Sequence, residues 1–278
     1  MKDVSADKDT QSDKPSHSYK TVFISDVHLG TRNSQAGALL DFLRHVECDT
    51  LYLVGDIVDF WKVRRGPHWP QSHNDVLQKI LRKARKGTRV ILIPGNHDEG
   101  LRDYCGMTFG GIELKRDTIH EGANGKKYLV MHGDEFDVIV RYARWLAFLG
   151  DRSYEISLAL NTPLNWARRR LGLGYWSLSG FLKQKVKGAV NFIGEFEEAL
   201  VAEARRRGAE GLISGHIHHA NDRDIEGIHY LNSGDWVESC TAIGERADGT
   251  FEILRWHEIM AARAMQAPAQ LTTLGQAA

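Results

Sequence analysis

The sequence predicts an α/β fold that begins parallel and ends antiparallel. Three observations carry the prediction. Short apolar runs such as Leu51-Tyr52-Leu53-Val54 stop at a glycine or a polar turn, and a run of that length reads as a strand buried on both faces. Stretches of helical spacing lie between the runs, a β-α-β-α-β rhythm that calls for parallel strands with right-handed crossovers. Past residue 228 the strands follow one another through tight turns such as Ala247-Asp248-Gly249, which is how antiparallel strands are joined.

The 278 residues suffice for one large domain, or for one domain with a sizeable insertion. Lys and Arg number 36, and so do Asp and Glu, so the chain as a whole lacks the basic footprint of a nucleic-acid binder. Cys48, Cys105 and Cys240 are far apart and odd in number. They offer no disulfide framework and no Cys-x-x-Cys metal site, and they fit a reducing compartment. Residues 1–19 are polar, lack the apolar core of a signal peptide, and are expected to be a disordered tail. No run is apolar for long enough to span a bilayer, and a soluble or peripheral protein is expected.

In chain order, residues 21–25 form the first strand, with Asp26-Val27-His28-Leu29-Gly30 at its end. Residues two apart in extended chain point the same way, so Asp26 and His28 converge. A hydrogen-bonded Asp–His pair and a metal site both satisfy that arrangement. Residues 35–46 follow as a helix, with Ala38, Leu39, Phe42, Leu43 and Val46 on one face. The second strand delivers Asp56 past its carboxyl end, where parallel sheets place their chemistry. Residues 61–70, with Arg64, Arg65, Pro67 and Pro70, read as a loop, and a helix over 72–86 closes at Gly87. The third strand ends in Pro94-Gly95-Asn96-His97-Asp98. The Asn96 amide oxygen suits a hard cation; His97 either faces a substrate or is an ordinary loop histidine. A fourth strand over 127–131 ends in His132-Gly133-Asp134. Helix 195–207 has an acidic first turn and Arg205-Arg206-Arg207 in its last, as the helix dipole favours. Residues 211–214 are a strand that ends in Gly215-His216-Ile217-His218-His219, and strands over 228–232, 240–244 and 250–256 complete the fold.

Residues 138–194 differ in character. They carry nine Lys or Arg against Asp151 and Glu155, a local charge of +7, and nine of the chain's 25 aromatics. Thr162-Pro163 reads as a helix start, and Gly172 and Gly174 as interruptions, so several short helices are expected. Basic residues interleaved with aromatics suit an anionic ligand with an apolar tail, or a membrane surface. Ordinary helices that pack their aromatics and solvate their arginines are the alternative. The expected domains are a tail (1–19), a main domain (20–256) with a helical insertion (138–194), and a C-terminal tail (257–278).

Five strand ends thus carry Asp-x-His, Gly-Asp, Gly-Asn-His-Asp, His-Gly-Asp and Gly-His-x-His. Their order and content resemble the calcineurin-like metallophosphoesterase superfamily over about residues 20–256. The resemblance implies a four-layer fold, with two packed mixed β-sheets flanked by helices and a helical lid inserted. It implies two divalent cations. Asp26, His28, Asp56 and His218 would hold one, and Asp56, Asn96, His132 and His216 the other, with Asp56 bridging. That oxygen and nitrogen donor set suits manganese, iron or zinc, and manganese is expected first. It further implies phosphoester hydrolysis, with His97 as proton donor to the leaving group and Asp98 orienting its ring. Asp59 would stand behind the ligands, and Arg32 would bind a phosphate.

Within the superfamily, residues 24–30 and 55–61 and the placement of the insertion look like the UDP-2,3-diacylglucosamine pyrophosphatases of lipid A synthesis. Those enzymes release UMP and 2,3-diacylglucosamine 1-phosphate, and their insertion forms a lid over the acyl chains. The resemblance implies a lipid-linked nucleotide substrate and peripheral contact with the inner face of the cytoplasmic membrane. The family's lid residues do not carry over position by position; Lys183, Lys185 and Lys187 are expected at the phosphates from the charge of the insertion. Best-known members carry arginine where this chain has His97. A metallophosphoesterase acting on another phospholipid, phosphodiester or nucleotide is therefore the alternative. A binding module that has lost catalysis fits less well, since all seven donors are intact.

Overall fold

The computed structural model describes residues 17–66, 68–136, 170, 194 and 196–266. Strand β1 (His17–Ile24) runs parallel to β2 (Val46–Val54), and β2 parallel to β3 (Arg89–Ile93). The crossovers are α1 (Ala36–His45) and, after the short α2 (Phe60–Arg65), α3 (Gln71–Arg85). Beyond β3 come β5 (Ile112–Leu114), parallel, and β4 (Thr108–Phe109), antiparallel. On the other flank β11 (Thr241–Glu245) and β12 (Phe251–Arg255) pair antiparallel. The resulting seven-stranded sheet has the order β12-β11-β1-β2-β3-β5-β4. A second sheet, in the order β6-β7-β8-β10-β9, holds β6 (Thr118–Glu121), β7 (Lys127–Val130), β8 (Gly211–Ser214), β9 (Asn221–Ile225) and β10 (Ile228–Asn232).

Side chains alternate across each strand, and here both faces are covered. Phe23, Tyr52, Ile91 and Ile93 meet Tyr128, Val130, Ile213 and Leu231 between the sheets. Val22, Ile24, Leu51, Leu53 and Val90 pack with α1 and α3. Leu129, Met131, Leu212 and Tyr230 pack with Phe196, Leu200, Val201 and Ala204 of α4, residues 196–206. Helices, sheet, sheet and helix make four layers, and the mixed sheets agree with the fold class expected. Because β1, β2 and β3 are parallel, and β7 and β8 are parallel, their carboxyl ends carry the polar motifs to one rim.

A buried hydrogen-bonded pair ties the sheets together away from that rim. Glu245 on β11 accepts from His120 on β6 at 2.9 Å and from the Ala123 amide at 2.7 Å. Burial raises the Glu245 pKa, but the hydrogen bonds from His120, Thr21 and Ala123 outweigh it, and the carboxyl sits below its ordinary value of 4.5. The folded state therefore binds this proton less readily than the unfolded chain does. The pair's contribution is complete above pH 4.5 and fades as pH falls below that value. Glu245→Gln should cost ~1.5–3 kcal/mol at neutral pH, the range for a hydrogen bond to a charged group. The gap between variant and wild type in thermal melts should close on acidification.

Several elements differ from the sequence reading. β1 starts at His17, inside the expected tail. β2 starts at Val46, because Glu47 and Asp49 take the exposed positions of an alternating strand start. Phe60–Arg65 is helical rather than loop: the Asp59 side chain caps it by accepting from the Lys62 amide at 2.8 Å. Residues 257–266 of the expected C-terminal tail are helical. Helix α5 (Trp256–Gln266) forms, anchored by the buried Trp256, whose indole N–H donates to Asp41 at 3.0 Å. The inserted segment expected over 138–194 lies almost wholly outside the described residues.

Candidate metal centre

Two groups of donors meet at the rim. In the first, Asp26 Oδ1 lies 2.9 Å from His218 Nε2 and 3.8 Å from His28 Nε2, and the two imidazole nitrogens are 3.3 Å apart. In the second, Asp56 Oδ1 lies 3.5 Å from His132 Nε2, and the His132 ring stands 5.0 Å from that of His216. Within each group of three, one donor atom per residue falls within 4.8 Å of the other two. Asp56 faces both groups, because its other oxygen, Oδ2, is 3.7 Å from His28 Nε2. Asn96, on the loop after β3, has its Oδ1 buried and without a hydrogen-bond partner among the described residues.

Asp26 and His28 do converge, while His216 and His218 go to different groups, and neither pair is arranged by extended chain. Asp26, His28, Asp56, His216 and His218 all adopt positive φ, between 50° and 71°. They are five of the seven non-glycine residues that do so among the described residues. Such conformations cost of order 1–3 kcal/mol each and persist where surrounding structure imposes them. Here the loops are pinned by backbone bonds: Val27 and His28 amides donate to the Asp56 carbonyl at 3.0 and 2.9 Å, and the His216 amide donates to Asp26 Oδ2 at 2.8 Å. Close approach also requires glycine. A Cβ on Gly55 would sit 2.2 Å from the His132 ring, and one on Gly95 would sit 2.4 Å from Asp56 Oδ1.

The chemistry of this donor set fits divalent cations. His132 presents Nδ1 to the Val54 carbonyl at 2.9 Å, so Nδ1 carries the proton and Nε2, buried without a partner, offers a lone pair. Asp56 Oδ2 is likewise buried without a hydrogen-bond partner. The carboxylates also draw protons onto their neighbours. Burial lowers His28 and His132, but Asp26 and Asp59 outweigh it for His28, holding it up at about 9, and Asp56 does so for His132, at about 10. A cluster that attracts positive charge this strongly, at buried nitrogens and oxygens, is suited to cations.

Sequence comparison decides the family. The model of the calcineurin-like phosphoesterases matches residues 19–220. The chain belongs to that family. A UDP-2,3-diacylglucosamine hydrolase of Neisseria meningitidis is 31% identical over 233 residues, spanning 82% of this chain and 93% of the relative. One of Pseudomonas aeruginosa is 28% identical over 247 residues, spanning 82% and 95%. A crystal structure of Vps29 from Entamoeba histolytica aligns over 84% of this chain and 97% of its own at 15% identity, with a TM-score of 0.39, too low to bear on function. This calcineurin-like phosphoesterase is a metal-dependent hydrolase.

The phosphoesterase's His97 stands at the edge of the donor groups. Its Nε2 is 3.9 Å from Asp56 Oδ2, its Nδ1 is 3.0 Å from Asp59 Oδ2, and Trp61 covers its ring at 4.3 Å between centroids. Asp59, not Asp98, therefore orients His97. One Asp59 oxygen caps α2; the other faces His97 and, at 3.6 Å, His28 Nδ1. Burial raises the Asp59 pKa, yet the bonds from the two histidines hold the carboxyl below the usual range. The sequence signal for this was an N-cap aspartate before Phe60-Trp61-Lys62.

Asp98 has a different task. Its Oδ1 accepts from the Gly95 amide at 2.6 Å, and its Oδ2 from the Ile57 amide at 2.9 Å. It staples the loop of Asn96 and His97 to that of Asp56. Asp98→Ala should leave those two buried donors unsatisfied, at roughly 1–3 kcal/mol each. Asp98→Asn keeps an acceptor and should melt closer to wild type by circular dichroism. Equal melting of the alanine variant and wild type would remove the staple.

Arg32 lies outside both donor groups, exposed on the loop that follows His28. Lys183, Lys185 and Lys187 fall outside the described residues. Among the described residues no helix is long and apolar enough to cross a membrane.

Proposed function

We propose that the enzyme hydrolyses the diphosphate of UDP-2,3-diacylglucosamine, giving UMP and 2,3-diacylglucosamine 1-phosphate. The observation that carries this reading is the joint one: relatives of that printed name span 82% of the chain at 28–31% identity, and this chain's own motif residues form donor groups at one rim. The +7, aromatic-rich stretch 138–194 supports a di-acylated, anionic substrate and contact with the inner face of the cytoplasmic membrane. We assign Lys183 and Lys187 to the phosphates on that composition alone.

In this reading Asp26, His28, Asp56 and His218 hold one cation, and Asp56, Asn96, His132 and His216 the other. Manganese is the first candidate, with iron and zinc accepted by the same donors. Such a pair, when bound, neutralises phosphoryl oxygens and acidifies a water near neutral pH. The protein's own groups do the rest. Asp56 fixes the spacing of the two groups, since one of its oxygens faces each. His97 directs Nε2 into the site and can release that proton to the departing oxygen. Asp59 keeps the Nδ1 proton in place, so the ring points one way. Trp61 shields the ring face from water.

The test is UMP release from UDP-2,3-diacylglucosamine in detergent by manganese-loaded enzyme. Appearance of UMP and the lipid phosphate in equal amounts supports the reading. Hydrolysis of nitrophenyl phosphodiesters without UMP release would shift the assignment to another phosphodiester or phospholipid, the alternative that His97 in place of arginine keeps in view.

A further inference from the structure

A second concavity adjoins the metal centre, and the hydrolytic reading above leaves it unused. Its volume is about 350 Å³, and it is lined by Arg32, Asn33, Ser34, Gln35, Val237 and Glu238. We infer that this concavity seats the nucleoside end of the substrate; the inference rests on the proposed diphosphate hydrolysis.

Both walls are built on the backbone of the first donor group. The Thr31 amide and hydroxyl donate to the His28 carbonyl at 3.2 and 2.9 Å, and Ser34 Oγ donates to the Val27 carbonyl at 2.7 Å. The opposite wall is the turn after β10. There the Trp236 amide donates to the Asp26 carbonyl at 3.0 Å, and the Trp236 carbonyl accepts from the Gln35 amide at 2.8 Å. Asp235 holds that turn, with Oδ1 accepting from the Val237 amide at 2.7 Å. The pocket is therefore fixed relative to Asp26 and His28. Arg32 is four positions from His28, a reach of at most ~14 Å even in extended chain, and the turn at Thr31 shortens it. A phosphate at the donor groups and a base in the concavity can belong to one molecule.

The lining chooses between the two ends of the substrate. Apart from Val237 it is polar, and it presents one guanidinium, two primary amides, a hydroxyl and a carboxylate. An acyl chain needs an apolar wall to leave water. A nucleoside instead offers ring donors and acceptors and ribose hydroxyls, which amides and a carboxylate can pair. The side chains of Arg32, Asn33, Gln35 and Glu238 carry no hydrogen bond or ion pair among the described residues, so none must be broken to receive a ligand. Position agrees with chemistry. The concavity lies on the flank of the first donor group, since both of its walls bond to the backbone at Asp26, Val27 and His28.

The test compares UMP with inorganic phosphate as inhibitors of nitrophenyl ester hydrolysis, and measures UMP binding directly by equilibrium dialysis with manganese-loaded protein. Wild type should prefer UMP over phosphate by about tenfold or more, the worth of one charge-assisted hydrogen bond. In Arg32→Ala/Asn33→Ala that preference should fall to near unity, while inorganic phosphate reports on the centre itself. Both residues are exposed, so the melting temperature should stay close to wild type. An unchanged preference in the variant, or equal weakening of UMP and phosphate, overturns the pocket. So does a wild type that shows no preference. Failure of wild type to release UMP from the lipid substrate would strike the proposed function first; release of UMP with an unaltered variant preference would strike this inference alone.

Discussion

Replacing Asp56 by alanine should strip the protein of both metal ions at once. Its two carboxylate oxygens face different donor groups, Oδ1 toward His132 at 3.5 Å and Oδ2 toward His28 at 3.7 Å. Removing a ligand belonging to one group, as in His132→Ala, should lower the content by about one ion and leave the first group loaded. Elemental analysis after dialysis against trace metal reads the difference. Hydrolysis by Asp56→Ala should fall to the level of metal-stripped protein. Asp56 also accepts from the His97 amide at 2.8 Å, so the loop of Asn96 should loosen as well. Retention of two ions per chain by the alanine variant would remove the bridging role.

His97→Ala should keep its metals and lose rate, by ~10²–10⁴-fold for substrates whose leaving oxygen needs a proton. Nitrophenyl esters, which leave as stable anions, should lose much less. Asp59→Ala should follow the same pattern more weakly, since it acts by positioning the His97 ring. It should also destabilise α2 by about 1 kcal/mol through the lost N-cap. The double variant should be little slower than His97→Ala alone, because groups that act as a unit are not additive. Full additivity, or an Asp59→Ala loss identical for good and poor leaving groups, would separate Asp59 from His97.

Most of the frame is legible in the sequence because burial on both faces writes strands as plain apolar runs. The strands at Leu51–Val54, Arg89–Ile93 and Gly211–Ser214 lie where such runs stand. The elements that were not legible lack that signature. β4 is two residues long, both exposed, and β9 is Asn-Asp-Arg-Asp-Ile, held by pairing to β10 rather than by any apolar face. The convergence of Asp26 with His28 was foreseen for the wrong reason: left-handed backbone, not pleat, turns both inward. Sequence separation hid the pairing of Asp59 with His97, 38 positions apart. The neighbouring Asp98 in the Asn-His-Asp motif was the nearer candidate, but its carboxylate is consumed by backbone amides. The polar concavity was invisible as well, because its two walls come from residues about two hundred positions apart.

The account's central claim is that one carboxylate joins two cations at this rim, and electron paramagnetic resonance of the manganese-loaded protein tests it most directly. Two manganese ions sharing Asp56 should give the broad, multiline spectrum of an exchange-coupled pair, collapsing to little bound signal in Asp56→Ala. A simple six-line spectrum from isolated ions in fully loaded wild type would contradict it.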